Sequence, residues 1–323
     1  MDTLHLVDPE LRPLLEAFPS LNLSMESLAE TRERVFPMPE PDLSKTTQEQ
    51  MTAPGPSGAP DVEVLVYRPK AVSGPLPCIY HIHGGGYVLG KAKNQEPAHR
   101  LVSGGLGCAI VSVEYRLAPE TPFPGPVEDC YAGLAWTFAK AAELGLDTSR
   151  IGVMGESAGA GLAAALALLA RDRGEYALAF QHLIYPMLDD RTCEHPDPHP
   201  HTGEFIWHAH NNRFGWSSLL GHEPGRKGVS PYAAPARAED LSRLPPTFIS
   251  TGALDLFLEE DLEYARRLVR AGVPTELHVY PGAFHAFDMA PDAAIAQQAR
   301  RDSREALARF TRGSSKPRSA GTV

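Results

Sequence analysis

The sequence predicts an α/β architecture, a central and mostly parallel sheet flanked by helices. Three stretches carry that prediction. Ile151-Gly152-Val153-Met154 is a short apolar run, followed by Gly155-Glu156-Ser157-Ala158-Gly159 and then by small residues from Ala160 to Ala170. It reads as strand, sharp turn and helix. Cys78-Ile79-Tyr80-His81-Ile82 reads as a strand running into His83-Gly84-Gly85-Gly86-Tyr87. Pro246 to Gly252 and Glu276 to Tyr280 read as two further strands, separated by a helical stretch from Glu259 to Ala271 that Gly272 and Val273-Pro274 end. Strand–helix–strand units of this kind bring the strand ends to one edge, where open α/β sheets place their sites.

The other elements follow in chain order. Residues 1–50 read as a separate helical element. Asp8-Pro9 can open one helix, with Leu11, Leu14, Leu15 and Phe18 as its apolar face, and Ser24, Ser27, Leu28 and Thr31 suggest a second before Pro37. Residues 53–60 are a linker by composition. From 60 to 310 the chain reads as one α/β domain, opened by Val62 to Tyr67, with Ala109 to Val113 as a further strand, Pro126 to Leu144 as a crossover helix and Leu178 to Tyr185 as the next strand. The stretch 189–236 interrupts the alternation with prolines, histidines and aromatics. Residues 313–323 are expected to be a disordered tail.

A serine at the apex of a strand–turn–helix is pushed out above the sheet in a strained conformation, the arrangement of a nucleophile elbow. Glycines two residues before and after Ser157 remove Cβ atoms that would clash across so tight a turn. By itself the pentapeptide is also an ordinary Gly/Ser-rich turn; its flanks give it weight. The three glycines 84–86 let backbone N–H groups approach a reacting centre, and such donors hold the oxyanion of an acyl transfer. With the residue after the serine, these donors are the amides of Gly84, Gly85 and Ala158. A phosphate-cradling loop is the rival reading of the glycines, but no GK[ST] follows them.

The serine needs a base, and the base an orienting carboxylate, in the order acid then histidine, each after a strand. Asp255 follows the strand ending at Gly252, and His285 follows the one ending at Tyr280. The expected roles are Ser157 nucleophile, His285 general base and then acid, and Asp255 orienter of the imidazole. Among the competitors, Glu259, Glu260 and Asp261 are expected to cap or solvate their helix, and Asp288 stands in the wrong order. His81 and His278 read as sheet residues, and His83 as a brace for the glycine loop. Because the imidazole must be neutral to accept a proton, activity is expected to fall in acid.

These motifs resemble the hormone-sensitive lipase family of esterases. The resemblance rests on His83-Gly84-Gly85-Gly86-Tyr87, on Tyr115-Arg116-Leu117-Ala118-Pro119-Glu120 with Phe123-Pro124, on Gly155-Glu156-Ser157-Ala158-Gly159, and on Asp255 with Gly282-Ala283-Phe284-His285-Ala286-Phe287. It spans roughly residues 60 to 310. It implies the α/β-hydrolase fold with a helical cap formed by residues 1–50 and 189–236. It also implies the triad Ser157, Asp255 and His285, the same oxyanion hole, and cis peptide bonds at Ala118-Pro119 and Phe123-Pro124. Three departures stand out: Asp255-Leu256-Phe257 where the family usually has Asp-Pro-Leu, His285-Ala286-Phe287 where His-Gly-Phe is usual, and Ala160 for a common fourth glycine.

The resemblance implies hydrolysis of short-chain acyl esters, small molecules, with no cofactor. Other serine acyl enzymes on the same fold (lactonase, amidase, transacylase) stay open, as does a ligand-binding protein that has lost the chemistry; His285 argues against the last. Tyr87, Leu89, Phe205, Trp207, Phe214 and Trp216 are candidate pocket linings, each equally readable as cap core. The histidines 195, 199, 201, 208 and 210 tempt a metal reading, but Pro196, Pro198 and Pro200 break any helical ligand face, so no metal is expected.

Composition points the same way. The chain has 323 residues, 43% hydrophobic and 22% charged, with a formal net charge of −10. That balance fits a globular core and argues against nucleic acid or anionic membrane surfaces as partners. No basic n-region or apolar h-region opens the chain, so a cytoplasmic location is expected. Cys78, Cys108, Cys130 and Cys193 have no C-x-x-C spacing and read as reduced thiols. A homodimer is an open expectation.

Overall fold

A computed structural model describes residues 3–18, 21–34 and 40–312; the expected tail at 313–323 lies outside them. Among the described residues eight strands build one sheet: β1 (Thr46–Ala53), β2 (Val62–Pro69), β3 (Leu76–Ile82), β4 (Ala109–Glu114), β5 (Leu146–Glu156), β6 (Gln181–Ile184), β7 (Thr247–Gly252) and β8 (Thr275–Tyr280). Their order is β1-β2-β4-β3-β5-β6-β7-β8. The pairs β1/β2 and β2/β4 are antiparallel and every other pair is parallel. The central parallel strands β3 and β7 are buried at every position, as expected of strands covered on both faces.

The helices are α1 (Arg12–Ala17), α2 (Leu28–Glu33), α3 (Glu96–Leu106), α4 (Gly125–Ala139), α5 (Ala141–Leu144), α6 (Ala158–Arg173), α7 (Ala209–Leu220), α8 (Leu258–Arg270) and α9 (Ala294–Arg312). Helix α6 is buried from Ala158 to Ala170. Its alanines and glycines let it lie close to the chain leaving β6: a Cβ on Gly161 would come 2.1 Å from the Met187 carbonyl oxygen. The two peptide bonds Ala118-Pro119 and Phe123-Pro124 are cis. All four cysteines are free thiols. No helix among the described residues is long and apolar enough to cross a membrane.

The sequence placed residues 46–50 in a helical N-terminal segment and opened the α/β domain at 60. Both boundaries need correction. Residues 46–53 form β1, an edge strand of the sheet, and the stretch 53–60 is a connection between antiparallel neighbours, turned by the Ala59 N–H on the Pro56 carbonyl. An edge strand is covered little, and Thr46-Thr47-Gln48-Glu49-Gln50 carries no apolar signal to reveal it.

The rest of the N-terminal segment packs on the stretch between β6 and β7. The Leu23 N–H donates to Asn211 Oδ1, and the Thr3 N–H to Glu204 Oε2. His208 and His210 donate to the carbonyls of Leu21 and Leu23. Arg32 of α2 reaches further, donating to the Val88 and Ala118 carbonyls and pairing with Glu120.

Candidate active site

Ser157 joins β5 to α6 with φ 54° and ψ −124°. A non-glycine residue enters that region only where its surroundings force it there. The forcing contacts are visible. A Cβ on Gly155 would come 2.4 Å from the Gly159 carbonyl, and one on Gly159 would come 2.2 Å from the Ile82 carbonyl oxygen. The Ser157 N–H donates to the Ile184 carbonyl, and its own carbonyl accepts from Gly161 and Met187.

The carboxyl ends of β7 and β8 deliver the other two side chains. His285 Nδ1 lies 2.8 Å from Asp255 Oδ2, and His285 Nε2 lies 2.9 Å from Ser157 Oγ. An ionised carboxylate only accepts, so Nδ1 carries the proton and Nε2 is left to accept from the hydroxyl. The second Asp255 oxygen takes the Phe257 N–H at 3.0 Å, so the carboxylate is fully buried yet satisfied on both sides. The imidazole is boxed by rings: Tyr185 at 4.7 Å, Phe257 edge-on at 5.1 Å and Trp207 at 6.4 Å. At the acid loop, Leu256 stands where the resembled family has proline. Its side chain packs on Gly203, where a Cβ would meet it at 2.6 Å, and Asp255 still reaches His285.

The glycine loop lies against the serine. A Cβ on Gly84 would stand 2.8 Å from the Glu156 carbonyl oxygen and 3.4 Å from Ser157 Cβ. Gly85 has φ 122°, and its carbonyl accepts from Val88 and Leu89. Ala158, buried, is the first residue of α6, so its N–H has no helical carbonyl to bond. His83 braces the loop from below: Nδ1–H donates to the Gly84 carbonyl, and the ring stacks on Tyr115 at 4.3 Å. Burial pushes its pKa down to about 4, which keeps it neutral.

Beneath the elbow, His81 Nε2–H donates to the Glu156 carboxylate at 2.9 Å, and Ser112 Oγ lies 3.3 Å from Nδ1. This pairing between neighbouring strands has no local signal in the sequence. Nor do the contacts of Tyr185 and Phe257 with His285.

Two of the candidate pocket residues prove to be core. Tyr87 and Trp216 are fully buried, packed together at 5.1 Å, with the Tyr87 hydroxyl donating to the Met187 carbonyl. They cement α7 to the body of the fold and cannot line an open pocket. Leu89, Phe205 and Phe214 are half-buried, and Trp207 lies over Gly86 with its Nε1–H held by Asn212 Oδ1 at 3.1 Å. Glu260 and Asp261 also depart from expectation. Glu259 is exposed, but the next two carboxylates are buried. Glu260 accepts from the Leu188 and Asp189 N–H groups and from Thr192, so it fastens the chain leaving β6 to α8 instead of solvating the helix. Burial, more than the neighbouring Asp189, raises its pKa well above the ordinary range. No group of three or more metal-ligating side chains gathers among the described residues.

Comparison with known proteins gives a consistent picture. Residues 79–289 match a family described as alpha/beta hydrolase fold. The chain is 36% identical to the carboxylesterase NlhH of Mycobacterium tuberculosis over 294 residues, covering 87% of this chain and 88% of that one. It is 31% identical to the esterase LipI of the same species, over 84% of this chain and 85% of that one. Among solved structures, a bacterial heroin esterase superposes with a TM-score of 0.89 at 40% identity, covering 96% of this chain and all of that one. With the sheet order, the strained serine and the matched span in agreement, the chain belongs to the alpha/beta hydrolase fold family.

Proposed function

We propose that this chain is a carboxylesterase that hydrolyses short-chain acyl esters through an acyl-enzyme on Ser157. The observation that carries the reading is the unbroken hydrogen-bonded line from Ser157 Oγ through His285 to Asp255, beside a glycine loop in contact with the serine. In this reading His285 Nε2 takes the hydroxyl proton as Oγ attacks the ester carbonyl. The carbonyl oxygen becomes an alkoxide, held by the amides of Gly84, Gly85 and Ala158, where each preorganised donor is worth about 3–4 kcal/mol. The C–O bond to the alcohol breaks, His285 returns the proton to the leaving oxygen, and a water repeats the sequence on the acyl-enzyme. Asp255 keeps Nδ1 protonated throughout and stabilises the imidazolium.

The names of the relatives support ester hydrolysis as the reaction. Short acyl groups are favoured by Trp207 standing over Gly86 and 6.4 Å from His285, with half-buried Leu89, Phe205 and Phe214 as further candidate walls. The N-terminal segment and residues 189–236 together form the proposed cap. The test is hydrolysis of p-nitrophenyl esters from acetate upward by the wild type and by Ser157→Ala, with fluorophosphonate labelling of both. The expected result is a maximum at roughly C2 to C8, by family analogy, and loss of turnover and of label in the variant. Labelling that survives Ser157→Ala would overturn the assignment.

A further inference from the structure

Tyr185 packs its ring against the imidazole of His285 and makes no hydrogen bond to it. It leaves β6 with φ 36°, in the left-handed region that a bulky residue enters only under constraint. Its N–H donates to the Ser250 carbonyl at 2.6 Å, which holds the backbone in that turn. The ring it directs meets the His285 ring at 4.7 Å and 65°. A buried tyrosine hydroxyl needs a partner, and this one donates to Asp288 Oδ1 at 2.9 Å.

Asp288 lies in the single turn Phe287–Met289, in the same loop as His285 and three residues beyond it. Its backbone is fixed in turn: Arg300 of α9 donates to the carbonyls of Asp288, Ala290 and Pro291. The contacts close a circuit that runs from His285 along the chain to Asp288, across to Tyr185, and back to the imidazole by ring contact. Asp288 itself makes no hydrogen bond to the imidazole, because Nδ1 is taken by Asp255 and Nε2 by Ser157. Burial raises its pKa, and Glu156 pushes the same way; the Tyr185 hydroxyl and Arg300 oppose them.

We propose that Tyr185 and Asp288 form a positioning pair for His285, the hydroxyl–carboxylate bond fixing the tyrosine ring as a stop against which the imidazole rests. The proposal rests on the reading of His285 as general base. A base displaced by a fraction of an ångström from the attacking hydroxyl loses turnover before it loses substrate binding. The bond, and not the charge, does the positioning, so an asparagine at 288 keeps the acceptor and the function.

Steady-state kinetics on a p-nitrophenyl ester test this in Tyr185→Phe, Asp288→Ala, Asp288→Asn and Tyr185→Phe/Asp288→Ala, with the melting temperature recorded for each. The expected result is a kcat lowered about tenfold in Tyr185→Phe and in Asp288→Ala with KM held within about twofold. The double variant should lose no more than either single one, and Asp288→Asn should recover most of the turnover. The inference is overturned by a Tyr185→Phe enzyme with wild-type kcat, by losses that multiply in the double variant, by a change confined to KM, or by Asp288→Asn as impaired as Asp288→Ala. Should Asp288→Ala fail to fold, Tyr185→Phe alone decides. Ser157→Ala and His285→Ala separate the two levels: activity surviving in them would sink the esterase mechanism, whereas their inactivity beside a fully active Tyr185→Phe would sink only the pair.

Discussion

The indole of Trp207 lies so close over Gly86 that a Cβ at that glycine would stand 2.2 Å from the ring. Gly86 also has φ 59°. Replacing it by alanine therefore strains the backbone and drives a methyl into a ring held by Asn212. Gly86→Ala is expected to cost about 2–4 kcal/mol of stability, left-handed strain and overpacking together. The double variant Gly86→Ala/Trp207→Ala should recover part of the loss as measured by urea denaturation. A double variant less stable by the full sum of both changes would deny the contact.

Three buried histidines are expected to weaken the fold in acid. Burial pushes His83 down to about 4 and His182 to about 3, and takes His99 well below the ordinary range. All three are neutral in the folded chain, so the unfolded chain takes up protons first as pH falls below about 6.5. Their contribution is whole above that value and is lost progressively toward about 4 for His83 and about 3 for His182. Each adds a slope on the order of 1 kcal/mol per pH unit within its window. Neither ring nitrogen of His99 has a partner, and its ring lies against Tyr67 and His81. His99→Phe is expected to flatten the decline in urea midpoint between about pH 6.5 and 5 by about a third. An unchanged slope would show that another group takes up the protons.

Asp261 works in the opposite direction. It is fully buried on α8, with the Thr251 hydroxyl as a nearby donor, which opposes the shift that burial imposes. Burial first, then the charges of Glu260 and Asp255, raise its pKa well above the ordinary range. A carboxyl raised in this way supports the fold below the unfolded value near 4 and loses that support as pH climbs through the folded one. Asp261→Asn is therefore expected to raise the melting temperature at pH 8, to raise it less at pH 6, and to be neutral in acid below about pH 4. A variant equally destabilised at every pH would refute the electrostatic account.

Ala286, where the resembled family has glycine, sits at φ 60° and ψ 23°. Left-handed backbone costs a non-glycine residue about 1–2 kcal/mol, and the extra freedom of an unfolded glycine returns about 0.4–1 kcal/mol of that. Ala286→Gly is expected to stabilise the chain by roughly 0.5 kcal/mol. Destabilisation by more than about 1 kcal/mol would mean that the methyl packs productively.

The convergence of Ser157, Asp255 and His285 is legible in the sequence because each follows a strand with a clear apolar pattern, and a parallel sheet brings such ends together. The strands from Val62 onward are legible for the same reason. Three elements are not. β1 is polar and lies at the sheet edge, α3 carries Pro97, Gly104 and Gly105, and α9 follows the last strand as an arginine-rich helix with few large apolar residues. The burial of Glu260 and Asp261 is hidden because neighbouring acids on one helix look alike until the packing partner is known. Tyr87 and Trp216 show the same limit, since an aromatic near a site reads equally as lining or as core. The ties of His81 to Glu156 and of Tyr185 to Asp288 join residues 75 and 103 apart, beyond any local pattern.

The reach of Arg32 gives the N-terminus a mechanical part in the enzyme. One guanidinium grips the chain just past the glycine loop at Val88 and again at Ala118. The leading segment is thereby a latch on the chain that follows the glycine loop, and a shortened protein lacking it would be expected to keep its sheet while that loop loosens.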